Sequence, residues 1–94
     1  NTTMQLILNV IDHEMNIAQS VEAGRIHHQW LPDVTSMETG VLSPDTIRLY
    51  EDKGHRTTAR GGQGAAMAVY NDRANGLLEG AADSRRGDAA AVGY

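Results

Sequence analysis

The sequence contains no cysteine and no phenylalanine, and it has a single tryptophan. The lack of cysteine excludes disulfide bonds, a thiolate zinc site and a cysteine nucleophile. Eight basic residues stand against twelve acidic ones, for a formal net charge of −4. Nucleic-acid-binding surfaces need clustered lysine and arginine, so nucleic acid is not expected as a partner. No apolar run is long enough to cross a bilayer, so no membrane segment is expected either.

The chain is short, with 94 residues, and ten of them are glycine. A chain of this length buries only a modest fraction of its surface. Glycine adds to the entropic cost of ordering the backbone. We therefore expect residues 1–94 to form a single partial domain that belongs to a larger core.

Two helices are predicted at the start of the chain. Apolar residues spaced three and four apart predict an amphipathic helix over residues 2–13. Asn16 followed by Gln19 has the form of a capping box, which predicts a second helix over residues 17–23. Gly24 is expected to end that helix in a left-handed conformation.

The next segment is predicted to be a strand over residues 25–31, which Pro32 ends. Because strand side chains alternate, Ile26, His28 and Trp30 are expected to share one face. This arrangement would pack His28 beside Trp30 in the sheet.

The remaining elements are marked by capping and turn signals. A further strand is predicted over residues 34–38. Ser43-Pro44-Asp45 predicts a helix start, because serine caps free N–H groups and proline fits the first helical position. This helix is expected to end at Gly54. Residues 65–70 and 77–82 are predicted to form a hairpin. The predicted fold class is α+β, in the order α-α-β-β-α-β-β.

Three features invite a chemical role and are better explained otherwise. His27 and His28 are adjacent on the predicted strand and would point to opposite faces, so no metal site is expected. The loop Gly61-Gly62-Gln63-Gly64 precedes a predicted strand rather than a helix, so no nucleotide or other cofactor is expected. Thr2 could act as an N-terminal nucleophile, but Asn1 precedes it and a helix start is favoured. No catalytic, substrate-binding or metal-binding residue is assigned.

Three sequence runs resemble a known family: N-V-I-D-x-x-M-N-I-A at residues 9–18, R-I-H-H-Q-W-L-P-D at 25–33 and S-P-D-T at 43–46. They are similar to the C-terminal part of the small subunit of γ-glutamyltransferases, also called γ-glutamyltranspeptidases. The similarity extends over nearly the whole chain, to residues 90–94. The chain departs from the family pattern at Gly24 and Ser84, where the family usually has proline.

The resemblance implies that the chain is the C-terminal portion of an Ntn-hydrolase αββα sandwich, with helices outside two stacked sheets. It implies a parent enzyme that cleaves γ-glutamyl amides such as glutathione through a threonine acyl-enzyme and passes the acyl group to water, amino acids or peptides. Neither the family's nucleophilic threonine nor its oxyanion loop matches any part of this chain, so the isolated chain is expected to be inactive. The implied partners are the large subunit and the N-terminal part of the small subunit. The implied location is the periplasm or the cell exterior.

The resemblance also singles out Arg25, Asp83 and Arg85 as residues that support the active site or maturation. The alternative is that they form ordinary ion pairs that hold the C-terminal strands. For the whole chain, the alternative to part of an enzyme is a truncated, non-catalytic interaction module that self-associates.

Overall fold

The structure is a computed structural model that describes residues 1–93; Tyr94, at the end of the family resemblance, lies outside the described residues. The elements in chain order are α1 (Thr2–Ile11), α2 (Ile17–Glu22), β1 (Ile26–His27), β2 (Thr35–Glu38), α3 (Pro44–Asp52), β3 (Thr57–Arg60), β4 (Met67–Asp72) and β5 (Leu77–Ala82). The predicted α+β class is confirmed, and the predicted order is confirmed with one additional strand, β3.

The described chain divides into two compact units. The first unit contains Asn1 and Gly24–Gln63, and the second contains Thr2–Ala23 and the described residues from Gly64 onwards.

The first unit is a three-stranded sheet in the order β1-β2-β3. β1 pairs antiparallel with β2, so that Ile26 lies opposite Met37. β2 pairs in parallel with β3, so that Thr35 lies opposite Thr57. Parallel neighbours need a crossover connection, and α3 supplies it. Thr35, Ser36 and Met37 are all buried, so both faces of the middle strand are covered.

The strand predicted over residues 25–31 is wrong for most of its length, because β1 has only two residues. Trp30 has a φ of +73° and is 76% exposed, so it does not share a strand face with Ile26 and His28. A local hydrogen bond takes the place of strand pairing, since the Trp30 N–H donates to His28 Nδ1 at 3.1 Å. Bonds of this kind offer the backbone an alternative to a sheet.

The predicted start and end of α3 are confirmed. The Ser43 hydroxyl accepts a hydrogen bond from the Thr46 N–H at 3.2 Å, and proline occupies the first helical turn. Gly54, with a φ of +98°, follows the helix in the left-handed conformation that glycine favours. Tyr50 joins the helix to β2, because its hydroxyl lies 2.7 Å from Thr35 Oγ1.

The second unit packs α2 against the antiparallel hairpin of β4 and β5. The hairpin register runs from Met67 opposite Ala82 to Asp72 opposite Leu77, which confirms the predicted hairpin with β4 shifted toward the turn. The buried core of this unit consists of the small apolar side chains of Val21, Ala66 and Ala81. Leu6, Ile17 and Ala68 are partly buried and pack against them. Such a small core stabilises the unit only modestly.

The capping box of α2 is confirmed, and the predicted role of Gly24 is wrong. The Gln19 N–H donates to Asn16 Oδ1 at 2.8 Å, and the Asn16 N–H donates to Gln19 Oε1 at 3.0 Å. Gly24 does not have a positive φ. It is glycine because a Cβ at this position would lie 2.2 Å from Val41 Cγ2.

Every residue of α1 remains at least partly exposed, although the helix carries no charged side chain. Ile11 is 70% exposed and Met4 is 56% exposed. Among residues 1–93, no helix has the length and apolar character needed to span a bilayer.

Candidate functional site

Arg25 is buried in the first unit, with 1% of its surface exposed. Its Nη1 donates to the Gln63 carbonyl at 2.8 Å, and its backbone N–H donates to Glu38 Oε1 at 2.7 Å. Its carbonyl accepts from the Glu38 N–H at 3.0 Å and from Gln63 Nε2 at 3.2 Å. Both the backbone and the side chain of Arg25 are therefore fixed to β2 and to the glycine loop.

Glu38 and Gln63 complete this arrangement, which we call the Arg25 network (Arg25, Ser36, Glu38 and Gln63). Glu38 Oε2 accepts from the Gln63 N–H at 2.9 Å, so one carboxylate binds the backbones of two distant segments. The Ser36 hydroxyl donates to Gln63 Oε1 at 2.9 Å. A buried polar network whose members are hydrogen-bonded fixes one geometry, because breaking any bond leaves a polar group desolvated.

Asp83 is fully buried in the second unit, and its carboxylate accepts hydrogen bonds on both oxygens. Oδ2 accepts from the Ala66 N–H at 3.0 Å, which ties the end of β5 to the segment before β4. Oδ1 accepts from the Arg85 N–H at 3.0 Å and from Arg85 Nη1 at 3.1 Å. These charge-assisted bonds offset the cost of burying the carboxylate.

Arg85 also binds the C-terminal end of α2. Its Nη1 donates to the Val21 carbonyl at 3.0 Å, and its Nη2 donates to the Ala23 carbonyl at 3.0 Å. The last carbonyls of a helix have no partners within the helix, and positive charge is favourable at that end. One guanidinium thus joins Asp83 to the helix terminus; we call Asp83, Arg85 and these two carbonyls the Arg85 clamp.

A second contact reinforces the same junction. Glu22 accepts from the Ser84 N–H at 3.0 Å and from the Ser84 hydroxyl at 2.5 Å. The hydroxyl hydrogen bond, followed by the backbone hydrogen bond, lowers the pKa of Glu22 below its ordinary value. Ser84 therefore donates two hydrogen bonds to the last residue of α2.

Of the three predicted supporting residues, the structure brings Asp83 and Arg85 into one ion pair, and Arg25 belongs to the other unit. Sequence reasoning missed Glu38 and Gln63. Glu38 gave no signal, because a glutamate at a strand end is ordinary. Gln63 could have been noticed as the one residue with a side chain in a run of glycines, where the backbone can approach closely.

The two adjacent histidines bind different partners. His27 Nε2 lies 3.0 Å from Gln29 Oε1. His28 Nε2 lies 3.1 Å from Asp33 Oδ1, so His28 contacts a loop carboxylate and does not pack beside Trp30 in a sheet. Within residues 1–93, no three His, Asp or Glu side chains are grouped so that they could hold a metal ion.

Thr2 is the first residue of α1, as the helix-start interpretation predicted. Its side chain packs on Gly64, where a Cβ would lie 2.7 Å from Thr2 Oγ1. Gly64 has a φ of +73°, so both its backbone angle and the close contact require glycine.

The second unit has an apolar cavity of about 550 Å³ between α1 and the start of the hairpin. Its lining includes Leu6, Ile7, Val10, Ile17, Ala66 and Met67. The cavity lies beside the exposed apolar side chains of α1, so this surface resembles a core that lacks one layer.

Comparison with known proteins gives one family. The sequence profile described as Gamma-glutamyltranspeptidase matches residues 1–93. The chain is 39% identical over 93 residues to the glutathione hydrolase proenzyme of Escherichia coli, an alignment that covers 99% of this chain and 16% of that protein. The chain thus spans less than a fifth of the length of this relative.

Solved structures support the same family assignment. A Helicobacter pylori gamma-glutamyltranspeptidase superposes with a TM-score of 0.79 at 32% identity, over 90% of this chain and 47% of that chain. An acivicin-inhibited gamma-glutamyltranspeptidase superposes with a TM-score of 0.79 at 33% identity, over 90% of this chain and 46% of that chain. In that enzyme the C-terminus has critical roles in autoprocessing and catalysis.

Proposed function

Because the chain belongs to the gamma-glutamyltranspeptidase family, we propose that it is one part of an enzyme that cleaves γ-glutamyl amides such as glutathione and transfers the γ-glutamyl group to water, amino acids or peptides. Its fold is that of the C-terminal portion of the Ntn-hydrolase sandwich. In the parent enzyme, residues 1–94 act as a single partial domain of the small subunit. The profile match over residues 1–93 is the observation that carries this proposal.

Within that enzyme, the chain positions other groups and does not itself react. Acyl transfer needs an activated nucleophile and donors for the oxyanion. Thr2, the one residue with a nucleophile-like position in the sequence, begins a helix and packs on Gly64. The family's nucleophilic threonine and oxyanion loop have no counterpart in this sequence, so the isolated chain is expected to be inactive.

The supporting role belongs to the Arg25 network and the Arg85 clamp. Both are built on buried charged side chains, and a guanidinium fork fixes its partners in a way that lysine cannot. The roles of the C-terminus in the acivicin-inhibited relative support the same assignment, with Arg25, Asp83 and Arg85 serving maturation or turnover. An ordinary structural ion pair is the competing interpretation for each of them.

The partners of the chain are the large subunit and the N-terminal part of the small subunit. The exposed apolar side chains of α1 and the cavity beside it support this, because they offer the surface on which a further layer packs. The location follows from the family resemblance and is the periplasm or the cell exterior.

A chimera tests the proposal. This chain replaces the 93 residues that it matches in the E. coli glutathione hydrolase proenzyme. The chimera is expected to process itself and to release the dye from a chromogenic γ-glutamyl anilide, whereas the isolated 94-residue chain is not. A chimera that folds but neither matures nor cleaves the substrate contradicts the proposal.

The same chimera tests Arg25 against a matched control. Arg25→Lys keeps the charge but loses the geometry of the guanidinium, and a lost charge-assisted contact in a buried site costs about 1.5–3 kcal/mol. If Arg25 holds the oxyanion loop or the cleavage site of the precursor in place, a cost of this size slows maturation or turnover more than about tenfold. Arg48→Lys, on the exposed face of α3, is expected to behave as the unsubstituted chimera does. Equal rates for both variants mean that Arg25 has only a structural role.

A second candidate function is a non-catalytic module that self-associates. The exposed apolar residues of the second unit favour it for the chain on its own, since two copies could cover each other's open surface. The chimera distinguishes the two candidates. A chain that is part of the enzyme restores processing and cleavage, whereas a self-associating module does not.

A further inference from the structure

The turn between β4 and β5 places an asparagine directly before a glycine at an exposed site. Asn75 and Gly76 are both exposed, and Gly76 has a φ of +67°. Among the described residues, no heavy atom outside Gly76 and its two chain neighbours lies within 4 Å of the position that a Gly76 Cβ would occupy. The other four asparagines, Asn1, Asn9, Asn16 and Asn71, are each followed by a residue with a side chain.

We propose that Asn75 is a site of spontaneous deamidation and that Asp72 sets its rate. In this reaction the Gly76 backbone nitrogen attacks Asn75 Cγ and forms a new C–N bond, which closes a five-membered succinimide ring. The Cγ–Nδ2 bond breaks, and the nitrogen leaves as ammonia with the proton that the Gly76 nitrogen gives up. Water then opens the ring at either carbonyl and yields aspartate or isoaspartate. The only co-reactant is water.

Glycine at position 76 favours the first step. A side chain on the attacking residue would crowd the approach of its nitrogen to Cγ, and glycine has none. The open surroundings of Gly76 leave the backbone room to change its angles during ring closure.

Asp72 opposes the same step. Its Oδ1 accepts from the Asn75 N–H at 3.2 Å, and its Oδ2 accepts from Asn75 Nδ2 at 2.8 Å. The second bond holds the carboxamide to Asp72, and the first fixes the backbone N–H of the same asparagine. Ring closure expels Nδ2 as ammonia, so the hydrogen bond from Nδ2 to Asp72 must break during the reaction.

Deamidation removes the Asn75 Nδ2 donor, and with it the hydrogen bond to Asp72 that slows the reaction. The new carboxylate at position 75 has no donor for Asp72, and two carboxylates then face each other across a contact that was 2.8 Å long. Isoaspartate would also lengthen the backbone of the turn next to the pair Asp72 and Leu77. The modified hairpin is therefore expected to pair less firmly at its turn end.

Peptide mapping by mass spectrometry tests the proposal on the 94-residue chain held at mildly alkaline pH, both folded and in urea. In the folded chain, Asn75 is expected to convert faster than each of the other four asparagines, and more slowly than in urea. Asp72→Ala should raise the folded rate by about two- to tenfold, the range expected for losing one hydrogen bond, and leave the rate in urea unchanged. Asp52→Ala, an exposed acid in α3, is the control and should change neither rate.

Two results would overturn the proposal. One is a folded chain that keeps Asn75 intact over a period in which the unfolded chain deamidates. The other is an Asp72→Ala variant, shown to be folded by circular dichroism, whose Asn75 deamidates at the unsubstituted rate. Neither result depends on whether the parent is a γ-glutamyltransferase.

Discussion

Gly24 leaves no room for a side chain, although its backbone angles would tolerate one. An added Cβ would lie 2.2 Å from Val41 Cγ2 and 3.2 Å from Val41 Cβ. Gly24→Ala is therefore expected to destabilise the fold by about 1–3 kcal/mol, the usual cost of overpacking. Urea-induced unfolding measures the change, at one fixed protein concentration because association affects apparent stability.

A second substitution separates crowding from other effects of the alanine. In the Gly24→Ala background, Val41→Ala removes the atom that the new methyl group would contact, so stability should recover in part. Non-additivity of this kind is expected for residues in contact. A Gly24→Ala variant as stable as the unsubstituted chain would show that Val41 moves aside at no cost.

The hydrogen bonds between Ser84 and Glu22 predict a dependence of stability on pH. The pKa of Glu22 is lowered in the folded chain, mainly by the Ser84 hydroxyl. A lowered folded pKa gives stability that is present above the unfolded pKa and is lost as the pH falls through the folded value. Ser84→Ala should therefore reduce the loss of stability on acidification across the carboxyl range. Unfolding curves at several pH values measure this, and identical pH profiles for both proteins would contradict it.

Single residues were predictable from the sequence where the chemistry is local. The Asn16 and Gln19 capping box and the Ser43 cap each depend on groups three residues apart, and the structure has both. Glu38 and Gln63 were not predictable, because the bond between them joins residues 25 positions apart and nothing nearby marks it.

At the scale of elements, Arg85 joins the end of α2 to the segment after β5. The Arg85 guanidinium donates to the Val21 and Ala23 carbonyls and to the Asp83 carboxylate. Arg85→Lys would replace it with a single ammonium group. The Arg85 side chain is only 12% exposed, so the lost charge-assisted bonds are expected to cost about 1.5–3 kcal/mol in the free energy of unfolding. Urea-induced unfolding measures the difference.

Arg48→Lys is the matched control for that experiment. Arg48 pairs with Asp45 on the surface of α3, and its side chain is 68% exposed. Exposed pairs contribute about 0–1 kcal/mol, so this variant should be nearly as stable as the unsubstituted chain. Equal effects of the two substitutions would mean that the Arg85 clamp stabilises the fold no more than an exposed ion pair does.

The elements that were predicted poorly all belong to one sheet. The strand expected over residues 25–31 fails because the His28 ring accepts from the Trp30 N–H, and a local bond then competes with pairing. β3 was missed because Thr57–Arg60 has no alternation of polar and apolar residues and pairs in parallel with a distant strand. Parallel pairing depends on a crossover, which no short window of sequence reveals.

At the scale of the whole molecule, the sequence predicted that the chain would not complete a core by itself. The short chain and its abundant glycine gave that expectation, and among the described residues of the second unit the buried apolar side chains are those of Val21, Ala66 and Ala81. The family resemblance supplied the sandwich architecture, which composition and periodicity could not. The division of the described chain into two units was not predicted.

The isolated chain is expected to self-associate because its second unit exposes large apolar side chains on both helix and hairpin. They are Met4, Ile7, Ile11, Met67, Val69, Leu77 and Leu78. Water contact with this surface is unfavourable by roughly 25 cal/mol per Å² of apolar area, so covering it with a second copy lowers the free energy. Sedimentation velocity at micromolar concentration should give a mass above the 10.1 kDa of one chain.

Ile11→Glu should shift that equilibrium toward the monomer, because it places a charge within the apolar face of α1, where Ile11 is 70% exposed. Leu49→Glu is the control, since Leu49 is similarly exposed, at 65%, but belongs to α3 of the first unit. If association uses the second unit, only the first substitution weakens it. A compact monomer that melts cooperatively at micromolar concentration would show instead that the chain folds as an independent domain.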